Sequence, residues 1–259
     1  MRMSMDNEGM AALITGGGTG IGRATAVELA RRGCRNIAIT YTVSATDAEA
    51  TCHALQALGV NAVALRADVR VEEEVNKLIG DVAEKFGRLD VLVNNAGITR
   101  YVPLADLDGL TDEIWNLAFD TNLRGTFYCC RAAAPHLRAA SGAIVNVASM
   151  AGVRGAGSSI AYAVSKAGVI HLTKVLAVAL APEIRVNCVV PGFVQTRWME
   201  RGVGKDASLR EAERVGKETP LARVAMPHDV GETIANLVES HFVTGQDIVI
   251  DGGKSLKYD

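Results

Sequence analysis

Tyr162 and Lys166 stand four residues apart in the segment Tyr162-Ala163-Val164-Ser165-Lys166. On a helix this spacing places a phenol and an ammonium on one face. A free tyrosine has a pKa of about 10, and making its phenolate stable at neutral pH represents about 4 kcal/mol of differential stabilisation. A neighbouring ammonium supplies part of that, because an opposite charge favours the ionised form. Such a pair can exchange a proton with a reacting oxygen. Ser149, just beyond the apolar run Ala143 to Val147, can hydrogen-bond the same oxygen. Taken alone, a Tyr and a Lys so spaced are more often a solvated helix pair, so the rest of the chain must decide.

A second cluster lies near the N-terminus. Directly after the apolar run Ala11 to Thr15 comes the turn Thr15-Gly16-Gly17-Gly18-Thr19-Gly20-Ile21-Gly22, then a helical pattern from Arg23. Glycines let backbone approach a pyrophosphate without Cβ clashes, and the free N–H groups of the helix start offset its charge. The order strand, glycine turn, helix is that of a dinucleotide site. A phosphate loop of the NTPase kind is excluded, because Arg23 and Ala24 stand where Lys and Ser/Thr are required. No metal-ligand spacing occurs among the histidines and cysteines.

An acidic residue about 20 positions after such a turn would accept hydrogen bonds from an adenosine ribose diol. Here the segment is Thr40-Tyr41-Thr42-Val43-Ser44, with no carboxylate before Asp47. Thr40, Thr42 and Ser44 could instead donate to a 2′-phosphate. This favours NADP and leaves NAD open, since no Arg or Lys sits at the strand end and Thr19 occupies a turn position where a basic residue would help.

Seven short apolar runs can be strands: Ala11 to Thr15, Asn36 to Tyr41, Ala62 to Ala67, Val91 to Asn94, Ala143 to Val147, Arg185 to Val190 and Asp247 to Ile250. Helical patterns alternate with them, near 20–32, 45–58, 71–86, 111–139, 160–181 and 227–239. Buried strands separated by helices predict an α/β chain with a doubly wound, seven-stranded parallel sheet covered on both faces. The expectation is one domain over 1–259. Residues 192–218 form the longest connection without a clear element, as expected of a substrate loop or lid, with a short surface helix possible between Arg201 and Arg214.

The 259 residues are 49% hydrophobic and carry 27 Lys+Arg against 29 Asp+Glu, which gives no electrostatic reason to expect nucleic acid as a partner. Asp6 and Glu8 interrupt any apolar leader over Met1 to Gly9, and the apolar stretch Val169 to Ala181 carries His171, Thr173 and Lys174. No membrane and a cytoplasmic location are expected. Five scattered cysteines without C-x-x-C suggest buried free thiols.

Thr15 to Gly22, Asn94-Asn95-Ala96-Gly97, Asn122, Ser149, Tyr162, Lys166 and Pro191-Gly192 together resemble the short-chain dehydrogenases/reductases along the whole chain. Within that family, Asn94 to Arg100 (NNAGITR) is most similar to 3-oxoacyl-[acyl-carrier-protein] reductases and to sugar or polyol dehydrogenases. The resemblance implies a Rossmann fold, a nicotinamide cofactor and a homotetramer. It places proton exchange on Tyr162, phenol tuning and ribose binding on Lys166, carbonyl polarisation on Ser149, and support of a water-linked proton relay on Asn122. Around the cofactor it places Gly16, Thr19, Gly20, Ile21 and Gly22 at the pyrophosphate and Asp68 and Val69 at the adenine. Asn95 and Gly97 lie beneath the ribose, and Pro191, Gly192, Val194 and Thr196 at the nicotinamide amide. Asp68 could equally be a helix cap, Asn122 a kink residue and Pro191-Gly192 a plain turn.

The expected activity is hydride transfer between NADP (or NAD) and a carbonyl or secondary alcohol, with the substrate small or carried on an acyl carrier protein. Alternatives are a sugar, polyol or other small-alcohol dehydrogenase, and a non-catalytic NADP-sensing scaffold. A serine hydrolase is excluded because Ser149 lacks the G-x-S-x-G elbow. Phe193, Trp198 and Met199 could wall a pocket or simply pack the lid, and Arg197 or Arg201 could meet an anion. Arg100, Arg124 and Arg131 could form a basic entrance if they face outward.

Overall fold

The computed structural model describes residues 9–257, so the acidic N-terminal stretch that argued against a leader lies outside the described residues, apart from Gly9. Seven parallel strands form one sheet: β1 (Ala11–Ile14), β2 (Asn36–Tyr41), β3 (Asn61–Arg66), β4 (Val91–Asn94), β5 (Ala143–Val147), β6 (Arg185–Pro191) and β7 (Asp247–Ile250). Their order is β3-β2-β1-β4-β5-β6-β7. The chain runs outward from β1 through β2 to β3, then returns to place β4 on the other side of β1. That reversal leaves a crevice beyond the carboxyl ends of β1 and β4, where open α/β sheets bind ligands.

Period-two alternation along the strands builds the core. Ile14, Ile37, Ile39, Val91 and Val93 face one layer, under α1 (Gly20–Arg31), α2 (Ala45–Gln56) and α9 (Pro227–Glu239). Leu13, Ala38, Leu92 and Ile144 face the other, against α3 (Glu72–Phe86) and α5 (Gly125–Ala140). Each fully buried Leu or Ile contributes about 1.5–3 kcal/mol, so the central strands are pinned in register from both faces. All five cysteines are buried and unpaired.

The structure departs from the sequence reading in two places. The segment 111–139 is not one helix: α4 (Asp112–Ala118) passes through a π-helical turn, Phe119–Arg124, into α5. The widened turn is tightly enclosed, since a Cβ on Gly125 would stand 2.8 Å from Val69 and one on Gly168 would stand 2.9 Å from Leu123. The connection 192–218 is largely helical, folding as α7 (Arg197–Val203) and α8 (Lys205–Glu218). Ion pairs at helical spacing, Arg214 with Glu211 and Glu218 and Lys217 with Glu213, support α8 on its solvent side, while Ser208, Val215 and Gly216 are buried.

The helix α6 (Ile160–Ala179) is long and apolar enough to cross a membrane. It lies instead against the sheet, where Val169 and Ile170 pack on Cys188 and Val190 of β6. It carries Tyr162 and Lys166 to the crevice.

Candidate active site

The glycine turn is held by residues far away in the chain. Thr15 Oγ1 accepts from the amides of Asn95 and Ala96, both at 3.0 Å, and Asn95 Nδ2 donates to Thr15 O at 2.9 Å and Gly16 O at 3.0 Å. Gly16 and Gly20 have φ of 63° and 55°, which disfavours any side chain there. A Cβ on Gly22 would stand 2.6 Å from Asn95 Nδ2 and from Gly16 O, so only glycine lets α1 start this close to the turn. The result is a half-buried backbone cradle at a helix N-terminus, a place that favours an anion.

Thr40 corrects the sequence reading. Its hydroxyl accepts from the Gly16 amide at 3.1 Å and so shapes the turn, and at 2% exposure it is buried away from a 2′-phosphate. Thr42 is exposed, and Ser44 precedes α2 without capping it. Thr19 caps α1 by position only, without a side-chain bond.

Asp68 is not the cap of α3, which begins after Val71. Its carboxylate is clasped by Arg70, with Nη2 to Oδ2 at 2.5 Å, and these hydrogen bonds hold its pKa below the usual carboxylate range. Val69 is buried against Gly125. The β6 exit continues through Pro191 and Gly192, whose amide donates to Ile250 O at 2.9 Å. Val194 bridges to Ala225, and Thr196 precedes α7 with its methyl 3.6 Å from where a Gly20 Cβ would be.

Asn122, Ser149, Tyr162 and Lys166 converge at the carboxyl ends of β4 and β5. Ser159 caps α6, its hydroxyl accepting from the Tyr162 amide at 3.2 Å. Ser149 Oγ accepts from the Ala151 amide at 3.2 Å, which leaves its proton to donate. The turn after Ser149 presses on α6 so closely that a Cβ on Gly152 would stand 2.6 Å from the Ala167 nitrogen. Lys166, 4% exposed, donates Nζ to Val147 O at 2.8 Å, and among the described residues no second acceptor meets it. Two N–H donors of this buried ammonium are therefore left without an acceptor among the described residues. Gly97 leaves them room, since a Cβ there would stand 3.5 Å from Nζ.

The side chain of Asn122 is fully buried in the π-helical turn. Its Oδ1 accepts from Ile98 N at 2.8 Å, and its Nδ2 donates to Ile98 O at 3.0 Å and to Ser165 Oγ at 2.9 Å. Asn122 thus clamps the Asn95 to Ile98 stretch, and Ser165, inside the Tyr-to-Lys segment, fixes its amide. Ser165 and Ser159 escaped the sequence reading. The Ser immediately before a helical pattern was a legible cap signal for the second.

Electrostatics here are set by burial. Desolvation pushes the Tyr162 phenol up to about 12, opposed by a hydrogen bond with Ser149, and lowers Lys166 to about 8. The Lys166 Nζ sits 5.8 Å from the Tyr162 ring centroid. Burial, and not Lys166, dominates the phenol's proton affinity, and the phenol keeps its proton at neutral pH.

The helix α7 lies over this cluster. Trp198 packs on Tyr162 with ring centroids 6.5 Å apart, and Tyr101 leans on Gly202 and donates to Met199 Sδ at 3.5 Å. Arg197 Nη2 meets Asp47 Oδ1 at 2.9 Å, while the Arg201 side chain lies outside the described residues. The expected basic entrance is mostly paired: Arg124 meets Asp120 at 2.7 Å, and Arg131 meets Glu72 and stacks on Phe127 and Tyr128. Arg100 is exposed.

Residues 16–255 match the family described as Enoyl-(Acyl carrier protein) reductase. The chain is 43% identical over 250 residues to a candidate ketoacyl reductase 2 of the granaticin polyketide synthase of Streptomyces violaceoruber, covering 96% of this chain and 97% of that one. It is 40% identical over 246 residues to the 3-oxoacyl-[acyl-carrier-protein] reductase FabG of Staphylococcus aureus (strain Mu50), covering 93% and 96% of the two chains. A solved structure described as ElxO with NADP bound superposes with a TM-score of 0.84 at 33% identity, over 96% of this chain and 99% of that one. With the parallel sheet, the glycine cradle and the Ser-Tyr-Lys cluster in place, these similarities show that the chain belongs to the short-chain dehydrogenase/reductase family of oxidoreductases.

Proposed function

We propose that the protein is an NADPH-dependent reductase of 3-oxoacyl groups carried as thioesters on an acyl carrier protein. The observation that carries the reading is the buried Lys166 ammonium with two unused donors beside a protonated Tyr162 phenol. Relatives that share about two-fifths of the sequence over nearly the whole chain act, by their names, on ketoacyl or 3-oxoacyl groups. When bound, the nicotinamide cofactor supplies the hydride.

The protein's own part is binding, orientation and proton transfer. Backbone N–H groups of the turn Gly16 to Gly22 hold the diphosphate, and Asp68 and Val69 border the adenine. Asn95 and Gly97 floor the ribose, whose hydroxyls accept from Lys166. Pro191, Gly192, Val194 and Thr196 border the carboxamide. Ser149 donates to the carbonyl oxygen, and Tyr162 gives that oxygen its proton as negative charge develops. Lys166 stabilises the phenolate left behind, and Asn122 keeps the floor rigid while the proton is replaced. Trp198, Met199 and Tyr101 on and beneath α7 exclude water, so the segment 192–218 acts as the lid over the site.

We assign the whole of 1–259 to one catalytic domain and the protein to the cytoplasm as a homotetramer. The exposed apolar side chains of α5 and α6, among them Phe127, Val164, Val175 and Val178, and those near β7, Phe242 and Val249, support burial between subunits.

The pH dependence follows from the two shifted groups. A lysine lowered to about 8 loses its proton as pH rises through that value, whereas the phenol near 12 stays protonated. The kcat/KM for NADPH, which reports the free enzyme, therefore stays level between pH 6 and 7.5 and declines above about 8 with the loss of one proton. A profile level up to pH 10 would remove Lys166 from this role.

The functional test is turnover of an acetoacetyl thioester, simple ketones and sugar alcohols with NADPH or NADH(or their oxidised forms for the alcohols), followed at the reduced nicotinamide absorbance. Fastest turnover is expected for the thioester with NADPH. Tight NADPH binding without turnover of any of them would instead establish a nucleotide-sensing protein.

A further inference from the structure

The ion pair between Arg197 and Asp47 has no part in proton transfer, yet it spans the cofactor crevice. Arg197 opens α7, and Asp47 lies in the first turn of α2, at the end of the crevice where β2 finishes. Their Nη2 to Oδ1 separation is 2.9 Å. The neighbours of the two residues flank the glycine turn: Ala48 Cα lies 3.2 Å from the Cβ position of Gly18, and Thr196 Cγ2 lies 3.6 Å from that of Gly20. The pair thus joins the two segments that flank the glycine turn.

We propose that Arg197 is the cation that recognises the 2′-phosphate of NADPH, and that Asp47 holds it in place until the nucleotide arrives. The assignment rests on the NADPH reading above and adds the residue that discriminates between the two nucleotides. Asp47 is the only charged residue between positions 40 and 48, so the local sequence by itself repels a phosphate. Thr40 offers little relief, because it is buried. Arg197 reverses that balance from a distant part of the chain. Its guanidinium can form two parallel hydrogen bonds to a phosphate, which carries more negative charge than a carboxylate. The side chains of Arg197 and Asp47 are 53% and 31% exposed, and ion pairs so open to water are weak enough to exchange partners. Ser44, whose hydroxyl caps nothing, lies three residues before Asp47 and can join the phosphate.

The test is equilibrium titration of the full chain with NADPH and with NADH, followed by reduced nicotinamide fluorescence without substrate, for wild type, Arg197→Gln and Asp47→Asn. The expected result for Arg197→Gln is NADPH affinity weaker by about 10- to 100-fold, with NADH affinity changed less than about threefold. Asp47→Asn, which removes the competing carboxylate, tightens NADPH by about threefold or more. Thermal unfolding without nucleotide stays unchanged in both variants. Equal weakening of both nucleotides by Arg197→Gln, or no weakening, overturns the assignment, as does a loss of NADH affinity in Asp47→Asn, which would make Asp47 a ribose acceptor. Wild-type protein that binds neither nucleotide would overturn the cofactor reading itself, an outcome distinct from a wild type that binds NADPH and an Arg197→Gln variant that binds it equally well.

Discussion

Tyr162→Phe is expected to lower kcat for thioester reduction by about 10²- to 10⁴-fold, the usual contribution of a positioned general acid. NADPH affinity should stay within about twofold, because the substitution removes one hydroxyl and leaves the ring that packs on Trp198. Geometry and proton supply decide the outcome. Burial holds the phenol near 12, so at neutral pH nearly every molecule carries the proton a reduction consumes. Phenylalanine preserves shape but has no proton to give, and Ser149 can polarise the carbonyl without completing the transfer. Steady-state rates and a fluorescence titration on the same preparation check both halves. A variant that turns over at the wild-type rate removes Tyr162 from the chemistry.

Lys166→Met is expected to fail in both respects. The methionine stem fills the same volume, but the ammonium that would bind the ribose hydroxyls is gone, so NADPH affinity falls by about tenfold or more. With no cation to stabilise the phenolate, kcat also falls by about 10²-fold or more. The decline in kcat/KM above pH 8 disappears from the residual activity, because the group that titrates has been removed. Stability moves in two opposing directions. Losing the donor to Val147 O leaves a buried carbonyl unpaired, at about 1–3 kcal/mol, while removing a desolvated ammonium relieves a cost of similar size. Thermal unfolding therefore changes little, and the affinity loss can be read as a property of the site. Unchanged NADPH affinity would show that Lys166 does not contact the ribose.

Much of this architecture is local in origin, and so could be read from the chain directly. The strands β2, β4, β5 and β7 fall where the apolar runs predict them, and a strand buried on both faces, as β4 and β5 are, needs a nearly continuous apolar run. The ends of β1, β3 and β6 differ by one residue, since Thr15 leaves the strand to anchor the turn, Asn61 joins by pairing with Asn36 and Pro191 joins by pairing with Ile250. The long pattern over 111–139 concealed the π-helical turn. Hydrophobic spacing does not register a single widened turn, nor the close packing around it of Gly125 on Val69 and Gly168 on Leu123, contacts between segments distant in sequence. The helices α7 and α8 were legible only as a short surface helix between Arg201 and Arg214, because their pattern is dominated by charge and only packing shows which side is covered.

By itself the sequence determined the order of strands and helices, the backbone cradle at Gly16 to Gly22, and the pairing of Tyr162 with Lys166 on one helix face. Those depend on periodicity and on backbone freedom, which act over a few residues. Tertiary structure decided what each polar group was left free to do. It committed the Thr40 hydroxyl to Gly16, gave Asn122 to Ile98 and Ser165, raised the proton affinity of Tyr162, and set Arg197 beside Asp47 from a segment 150 residues further along the chain. Hydrogen-bond satisfaction and desolvation depend on every neighbour in space, and a linear pattern carries no record of those neighbours.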